Sequence, residues 1–318
     1  MRTYKKTALL SIVLPLFLNG CIPISTANPR EIEEQRKQAE KDRKERHENV
    51  LTYTAEDYKE FDAQDSEEIA VELRDEIIQA TKDYMKKHYF LDVQVHNILT
   101  NMDGVTVHFE TKGPIHFYSE VRFPVELANK RLLADNVNYQ DGSLDNALKA
   151  SLYAYMYEEQ FSELDRLLGE VAEEHDVVGV RKELIQNIGK EGVMTPFYYT
   201  KYWDSDEALI PVYNKYLESP SSSKAELMEV FRSDEFNPKA IEFHIQLFTK
   251  DPDTEPDEET LSQVVEKIKT ADHLPKGRYI VTLHDNQKEK GRITNKTARS
   301  LKKEFLIEQD QFSSPGSP

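Results

Sequence analysis

Two imidazoles and one carboxylate, His96, His116 and Glu110, stand in three neighbouring segments that alternate apolar and polar residues. Leu91, Val93 and Val95 alternate with Asp92, Gln94 and His96, and Val105, Val107 and Phe109 alternate with Thr106, His108 and Glu110. The third segment sets Ile115, Phe117, Val121 and Phe123 against His116, Tyr118, Glu120 and Arg122. Period-two alternation predicts strands with one buried face. A three-residue loop at Met102-Asp103-Gly104 places its glycine last, where a left-handed residue is wanted. That loop sets His96 opposite Glu110, Leu99 opposite Val107 and Asn97 opposite Phe109. Closing the next hairpin with Lys112-Gly113-Pro114 sets Glu110 opposite His116, with His108 and Tyr118 alongside. Opposed side chains lie ~5 Å apart at Cβ. Two imidazoles and a carboxylate then form a candidate divalent-metal or acid–base set. The plainer alternative is a solvated sheet face on which histidines pair with a carboxylate, and the residues alone leave both open.

Other motifs lose their chemistry on inspection. No Gly-x-Ser-x-Gly, His-Glu-x-x-His, Walker or Gly-x-Gly-x-x-Gly pattern occurs. Ser221-x-x-Lys224 and Ser300-x-x-Lys303 have serine–lysine spacing, but neither Ser-Asp-Asn nor Lys-Thr-Gly follows. Asp251-x-Asp253-x-Glu255 begins like a calcium loop, yet Pro256 replaces the turn glycine and Ser262 the closing glutamate. Gly189 to Gly192 is too short to cradle a phosphate and predicts a turn. The aromatics Tyr153, Tyr155 and Tyr157, and Phe197 to Trp203, fit core and rim better than a ligand groove. No catalytic residue is assigned.

The one cysteine, Cys21, has a more specific context. A basic start (Arg2, Lys5, Lys6) leads into the apolar run Ala8–Leu18, which closes as Leu18-Asn19-Gly20-Cys21. That run is about half the ~20 residues a membrane-spanning helix needs, and its flanks are those of a processed leader. The segment resembles a bacterial lipoprotein signal. In that resemblance cleavage falls between Gly20 and Cys21, and Cys21 carries a diacylglyceryl thioether, with or without an added N-acyl chain. No other cofactor is expected. Loss of residues 1–20 removes three positive charges and takes the net charge from −17 to −20. Such a chain is repelled by nucleic acid and by anionic headgroups, so lipid must supply membrane attachment, and stable attachment takes about two acyl chains. With its one cysteine so used, the chain forms no internal disulfide, which fits the outer face of a Gram-positive cell membrane.

The elements that must carry these groups are those of an α+β fold: an antiparallel meander packed by helices, with a helical central region. Residues 21–49 predict a charged spacer, with Glu33/Lys37, Glu40/Lys44 and Asp42/Arg46 at helical spacing. The body is expected over 50–285, as one unit or as two (50–130 and 131–285). Its first helix, capped by Asp65 and Glu68, shows the stripe Ile69, Leu73, Ile77, Ala80, Tyr84. Helices follow over Leu144–Met156, Phe161–Val171, Val177–Ile188, Ser205–Leu217 and, from a Ser223/Glu226 capping box, through Phe231. Pro196–Tyr199, Ile241–Leu247 and Tyr279–Leu283 predict strands, with a helix over Leu261–Ile268 between the last two. Residues 286–318 read as a polar, disordered tail.

Tyr53-Thr-Ala-Glu-Asp-Tyr58, Val93-Gln-Val-His-Asn-Ile98, Ala150-Ser-Leu-Tyr-Ala154, Thr195-Pro-Phe-Tyr-Tyr199, Ile245-Gln-Leu-Phe248 and Pro275-Lys-Gly277 with Tyr279 occur in this order. In these stretches the chain resembles an uncharacterised family of Firmicute lipoproteins, domain of unknown function 1672. The resemblance runs from the leader to about Asp285. It implies a lipid-anchored surface protein and supplies no activity, substrate or catalytic residue. The expected function is a non-enzymatic envelope protein, held at the membrane by lipid and binding an envelope or extracellular partner. The alternative is an envelope enzyme using His96, Glu110 and His116. A solute receptor of the periplasmic type is disfavoured because the βαβ alternation it needs is not evident.

Overall fold

A computed structural model describes residues 33–34, 37–38, 41–42, 45–59, 67–101, 104–139, 142–203, 207–293 and 299–308. The leader, Gly20, Cys21 and the expected capping residue Asp65 lie outside them. Contacts divide the chain at Arg43/Lys44 into a short N-terminal unit and a body. In the former the described residues are helical, and Glu33 and Lys37 pair at 2.7 Å, as their spacing predicts.

The body opens with β1 (His47–Asn49), then helices α1 (Glu67–Glu72) and α2 (Arg74–Tyr89). The helix break at Leu73 was not expected. Below it the buried stripe is Ile77, Thr81, Met85, Tyr89, a strict i, i+4 row one position off the predicted Ala80 and Tyr84. Next comes the meander β2 (Val93–Asn101), β3 (Gly104–Thr111) and β4 (Tyr118–Glu126), with the short β5 (Arg131–Leu132) at its end. The turn between β2 and β3 pairs Asn101 with Gly104, so the glycine is the first residue of β3 rather than part of the loop. A Cβ on Gly104 would lie 2.0 Å from the Phe123 carbonyl oxygen.

Two central helices follow, α3 (Ser143–Met156) and α4 (Glu158–Glu174), separated at Tyr157. Most of α3 is buried on every side, the mark of a helix inside a core rather than on its surface. In α4, Phe161, Leu164, Leu167, Leu168 and Val171 make one apolar stripe. The short helical stretch expected within 177–188 is α5 (Lys182–Ile188), preceded by an unexpected strand, β6 (Val177–Val178). Then come β7 (Glu191–Gly192), β8 (Tyr198–Tyr202), α6 (Ile210–Glu218) and α7 (Lys224–Val230), the last with the predicted capping box. The chain finishes with β9 (Ile241–Thr249), α8 (Glu258–Thr270), β10 (Gly277–His284), β11 (Gln287–Glu289) and β12 (Leu301–Ile307).

Among the described residues two five-stranded, mostly antiparallel sheets result, beside a separate two-stranded pair of β1 and β11. One runs β2-β3-β4, with β5 and β7 both on β4; the other runs β12-β10-β9, with β6 and β8 both on β9. β9 and β10 are parallel and joined through α8, a single βαβ unit that the sequence reading missed. Alternation buries one face of each sheet. Val105, Val107, Phe109, Val121 and Phe123 share a core with Phe243, Ile245, Tyr279 and Val281. An aromatic ladder, Phe243 on Tyr279 at 4.8 Å and Tyr279 on Phe305 at 5.3 Å, crosses three strands of the second sheet.

Two boundaries move. The expected tail contains β11 and β12; β12 pairs with β10 along its whole length, because Leu301, Phe305 and Ile307 share the core-facing side. The expected spacer ends early, since β1 pairs with β11, and Asn286 ties Val50 to the chain by a 2.9 Å backbone bond. The body is therefore one unit from Lys44 onward rather than two.

The sheets meet through one hairpin. β7 pairs with β4 and β8 with β9, while Thr200 donates to the Val193 carbonyl across the hairpin. α3 packs against β4, β7 and β8, across the seam. Gly192 sits at φ +101°, and a Cβ there would come 2.4 Å from the Thr200 carbonyl oxygen. Gly192→Ala is expected to cost about 1–3 kcal/mol, from left-handed strain and lost hairpin contact, read as a lower urea midpoint at unchanged m-value.

Candidate functional site

The predicted row exists, built by a different register. Val95 pairs with Phe109 but Asn97 pairs with His108, so His96 is the extra residue of a β-bulge. Gln94, not His96, stands directly opposite Glu110, and Tyr118, not His116, opposes it on the other side. His116 lies in the connection before β4. A bulge re-aims its side chains, and here it returns His96 to Glu110 despite the shift. His96 Nε2 is 3.1 Å from Glu110 Oε1 and His116 Nε2 is 3.4 Å from Oε2. The His96 contact is close but poorly aligned, and leaves Nε2 without a hydrogen-bond partner. His116 is the solvent side of the cluster, its side chain 43 % exposed against 10 % for His96.

Burial pushes the Glu110 carboxyl up, but the Tyr118 hydroxyl that donates to it, with His96 and His116, outweighs this and holds it below the usual range. Tyr118 is pushed up in turn, by burial and by the carboxylate it serves. One strand pair along, His108 is buried opposite Glu120. Its Nδ1 lies 2.9 Å from the Gly189 carbonyl. A carbonyl only accepts, so Nδ1 carries the hydrogen. Burial lowers the His108 pKa despite Glu120 4.0 Å away, so the ring is a neutral spacer beneath the α5–β7 loop. Among the described residues, no group of three or more His, Cys, Asp or Glu is arranged to hold a metal ion. Glu110 works as a hub for its neighbours.

The remaining motifs are structural. Ser223 and Glu226 close the capping box beside Ser221, while Lys224 pairs with Glu158 at 2.8 Å. Ser300 Oγ is 2.6 Å from His284 Nδ1, whose Nε2 meets Gln246 Oε1 at 2.8 Å. This looks like a nucleophile, base and orienter, but burial and the nearby Lys288 push His284 down to about 3. Such an imidazole is too weak a base to take the serine proton at neutral pH. Lys303 points elsewhere, to Ser262 Oγ at 2.6 Å. Asp251 folds back on the Asp253 amide at 2.9 Å. Tyr153 is core, stacked on Phe236, while Trp203 is half exposed beneath Lys201.

A feature not read from sequence is a cleft of about 810 Å³ on the polar side of the seam. Glu120 and Arg122 of β4, Lys190 and Glu191 at β7, and Tyr199 and Lys201 of β8 line it; Tyr139, Ser143 and Arg292 complete the wall. Its size is that of a small-molecule site. Glu120 is bound to Arg122 at 3.2 Å and Arg292 to Glu289 at 3.1 Å. Burial pushes the Glu191 carboxyl up, Glu120 adding to this and Lys201 and Lys190 opposing it. These residues span Glu120 to Arg292, so only the topology brings them together. The alternation that put Tyr199 and Lys201 on one face was the one available signal.

Glu110→Ala should cost about 1–3 kcal/mol at neutral pH, because it strands the Tyr118 hydroxyl and removes the carboxylate beside two imidazoles. The Glu110 pKa is depressed on folding, so its contribution is present above the unfolded value and lost as pH falls through the folded one. Urea titrations should therefore show wild type and variant converging in acid. Adding zinc or manganese should leave the wild-type melting temperature unchanged.

The comparisons with known proteins agree with this fold. The model of the family "Protein of unknown function (DUF1672)" matches residues 40–309, past the limit of the earlier resemblance and through β12. The crystal structure of a DUF1672 family protein from Staphylococcus aureus is similar, with a TM-score of 0.67 at 15 % identity, over 82 % of this chain and 97 % of that one. At that identity the likeness speaks for the fold alone. No curated protein matches the sequence. A family model that takes in the sheets, the central helices and the C-terminal strand means that the chain belongs to the DUF1672 family.

Proposed function

We propose that this protein is a lipid-anchored protein of the extracytoplasmic face of the cell membrane, and that its body binds a ligand rather than transforming one. The observation that carries the anchor is the placement of Cys21, alone in the chain, directly after Leu18-Asn19-Gly20 at the end of an apolar run too short to span a bilayer. Among the described residues no helix is long and apolar enough to cross a membrane, and the acidic charge opposes adsorption to anionic lipid.

Binding is favoured over catalysis by the state of the ionisable groups. In the His96–Glu110–His116 row the carboxylate is engaged by an imidazole at each oxygen and by Tyr118. In the cleft, Lys190 and Glu191 have no ion-pair partner among the described residues and face open space. Groups held ready around a cavity are the pattern of a binding site.

Cell fractionation tests the anchor. Wild type should partition with membranes and Cys21→Ser should move to the soluble fraction. A Cys21→Ser chain that stays with membranes overturns the lipid anchor.

A further inference from the structure

The seam cleft has a chemical bias that narrows its occupant. Four cations, Arg122, Lys190, Lys201 and Arg292, line it against two carboxylates, Glu120 and Glu191. Arg122 and Arg292 are paired with Glu120 and Glu289, which leaves Lys190 and Lys201 against Glu191, a surplus of one positive charge on a chain with a net charge of −17. A concave site of opposite sign to the rest of the surface focuses anions locally. Glu120 is committed to Arg122, 3.2 Å away, and is a poor seat for a ligand amine. Lys190 has no ion-pair partner among the described residues, and Lys201 is met by the Trp203 ring, 4.8 Å from its centroid, rather than by a carboxylate.

The rest of the wall suits hydroxyl groups and a ring. Asn138 and Ser143 present neutral polar groups, and Tyr139 and Tyr199 present aromatic ones. Tyr199 is braced from behind by His244, the two rings nearly parallel at 4.6 Å, which fixes it as a flat platform. The backbone is equally fixed, because Asn138 and Arg122 exchange two 2.8 Å bonds across the isolated bridge beneath the site.

We propose that this cleft binds a polyhydroxylated anion, a sugar carrying a phosphate or a carboxylate. Lys190 and Lys201 take the acidic group, and Tyr199, Tyr139 and Asn138 take the sugar ring and its hydroxyls. The proposal rests on the binding reading above and adds the ligand class.

Isothermal titration of the full chain in detergent micelles, with glucose 1-phosphate, glucuronate, inorganic phosphate, glucose and glucosamine as probes, tests it. Glucose 1-phosphate or glucuronate should bind, about tenfold or more tighter than phosphate and than glucose, which each lack half of the contacts. Which of the two binds decides between a phosphate and a carboxylate. Lys190→Met with Lys201→Met should weaken the anionic probe about tenfold or more, with the melting curve as a control for folding. Glu191→Gln should hold or strengthen it, because a competing negative charge is removed. Phosphate binding as tightly as the sugar phosphate overturns the sugar component. Glucosamine as the tight probe, lost on Glu191→Gln, overturns the anion while leaving the binding reading intact. Silence from all five probes overturns the ligand class but not the binding reading, which is not confined to these chemistries.

Discussion

The close approach of two backbones at Gly192 and Thr200 is the contact on which the rest of this structure depends. Neither sheet is complete without it. β7 pairs with β4 of the first sheet and β8 with β9 of the second, so among the described strands the β7–β8 hairpin is what reaches both. A side chain at residue 192 would occupy the space of the Thr200 carbonyl, so the seam closes because that position has none. With the sheets joined, their apolar faces make one surface, and α3 lies across the join. Burying a Leu or Phe side chain there contributes roughly 1.5–3 kcal/mol, and the all-round apolar character of α3 follows from having sheet on one side and α4, α6 and α7 on the others.

The same join determines what the polar faces become. On the first sheet the polar row is covered in part by a second small core, where Tyr53, Leu99, Tyr118, Leu184 and Ile185 meet. Polar groups beneath such a cover need partners, and Glu110 serves the Tyr118 phenol while lying beside two imidazoles. Nearer the seam the cover stops. There the polar rows of β4 and β8 face open space from two directions, and a cleft forms from residues that each sheet alone would leave as ordinary surface. Architecture therefore sorts the ionisable groups, binding some to each other and leaving others facing the open cleft.

Much of this was legible in the chain. The meander, the capping box at Ser223, the helix at Leu261–Ile268 and the strands at Ile241 and Tyr279 follow from periodicity and caps, which are local. The cluster of His96, Glu110 and His116 was found for a partly wrong reason, because a bulge is invisible to alternation and moved the register on which the pairing was argued. Leu301–Ile307 carried an alternating signal, but its lysines and glutamate read as solvated tail; Lys302 and Glu304 are the outer face of an edge strand, where charge deters further pairing, and Lys303 shares the inner face and reaches Ser262. Of the cleft, only the shared face of Tyr199 and Lys201 was legible. Its walls come from four separate segments, and no local pattern records which segments a fold brings together.

Hairpin and α3 make one cooperative body out of two sheets. Native-state hydrogen exchange on the full chain, in increasing denaturant below the unfolding transition, tests it most directly. Buried amides of β3, β9 and α3 should merge into a single, highest opening free energy. Two separate values, with β2 to β4 opening while β8 to β10 stay protected, would contradict it.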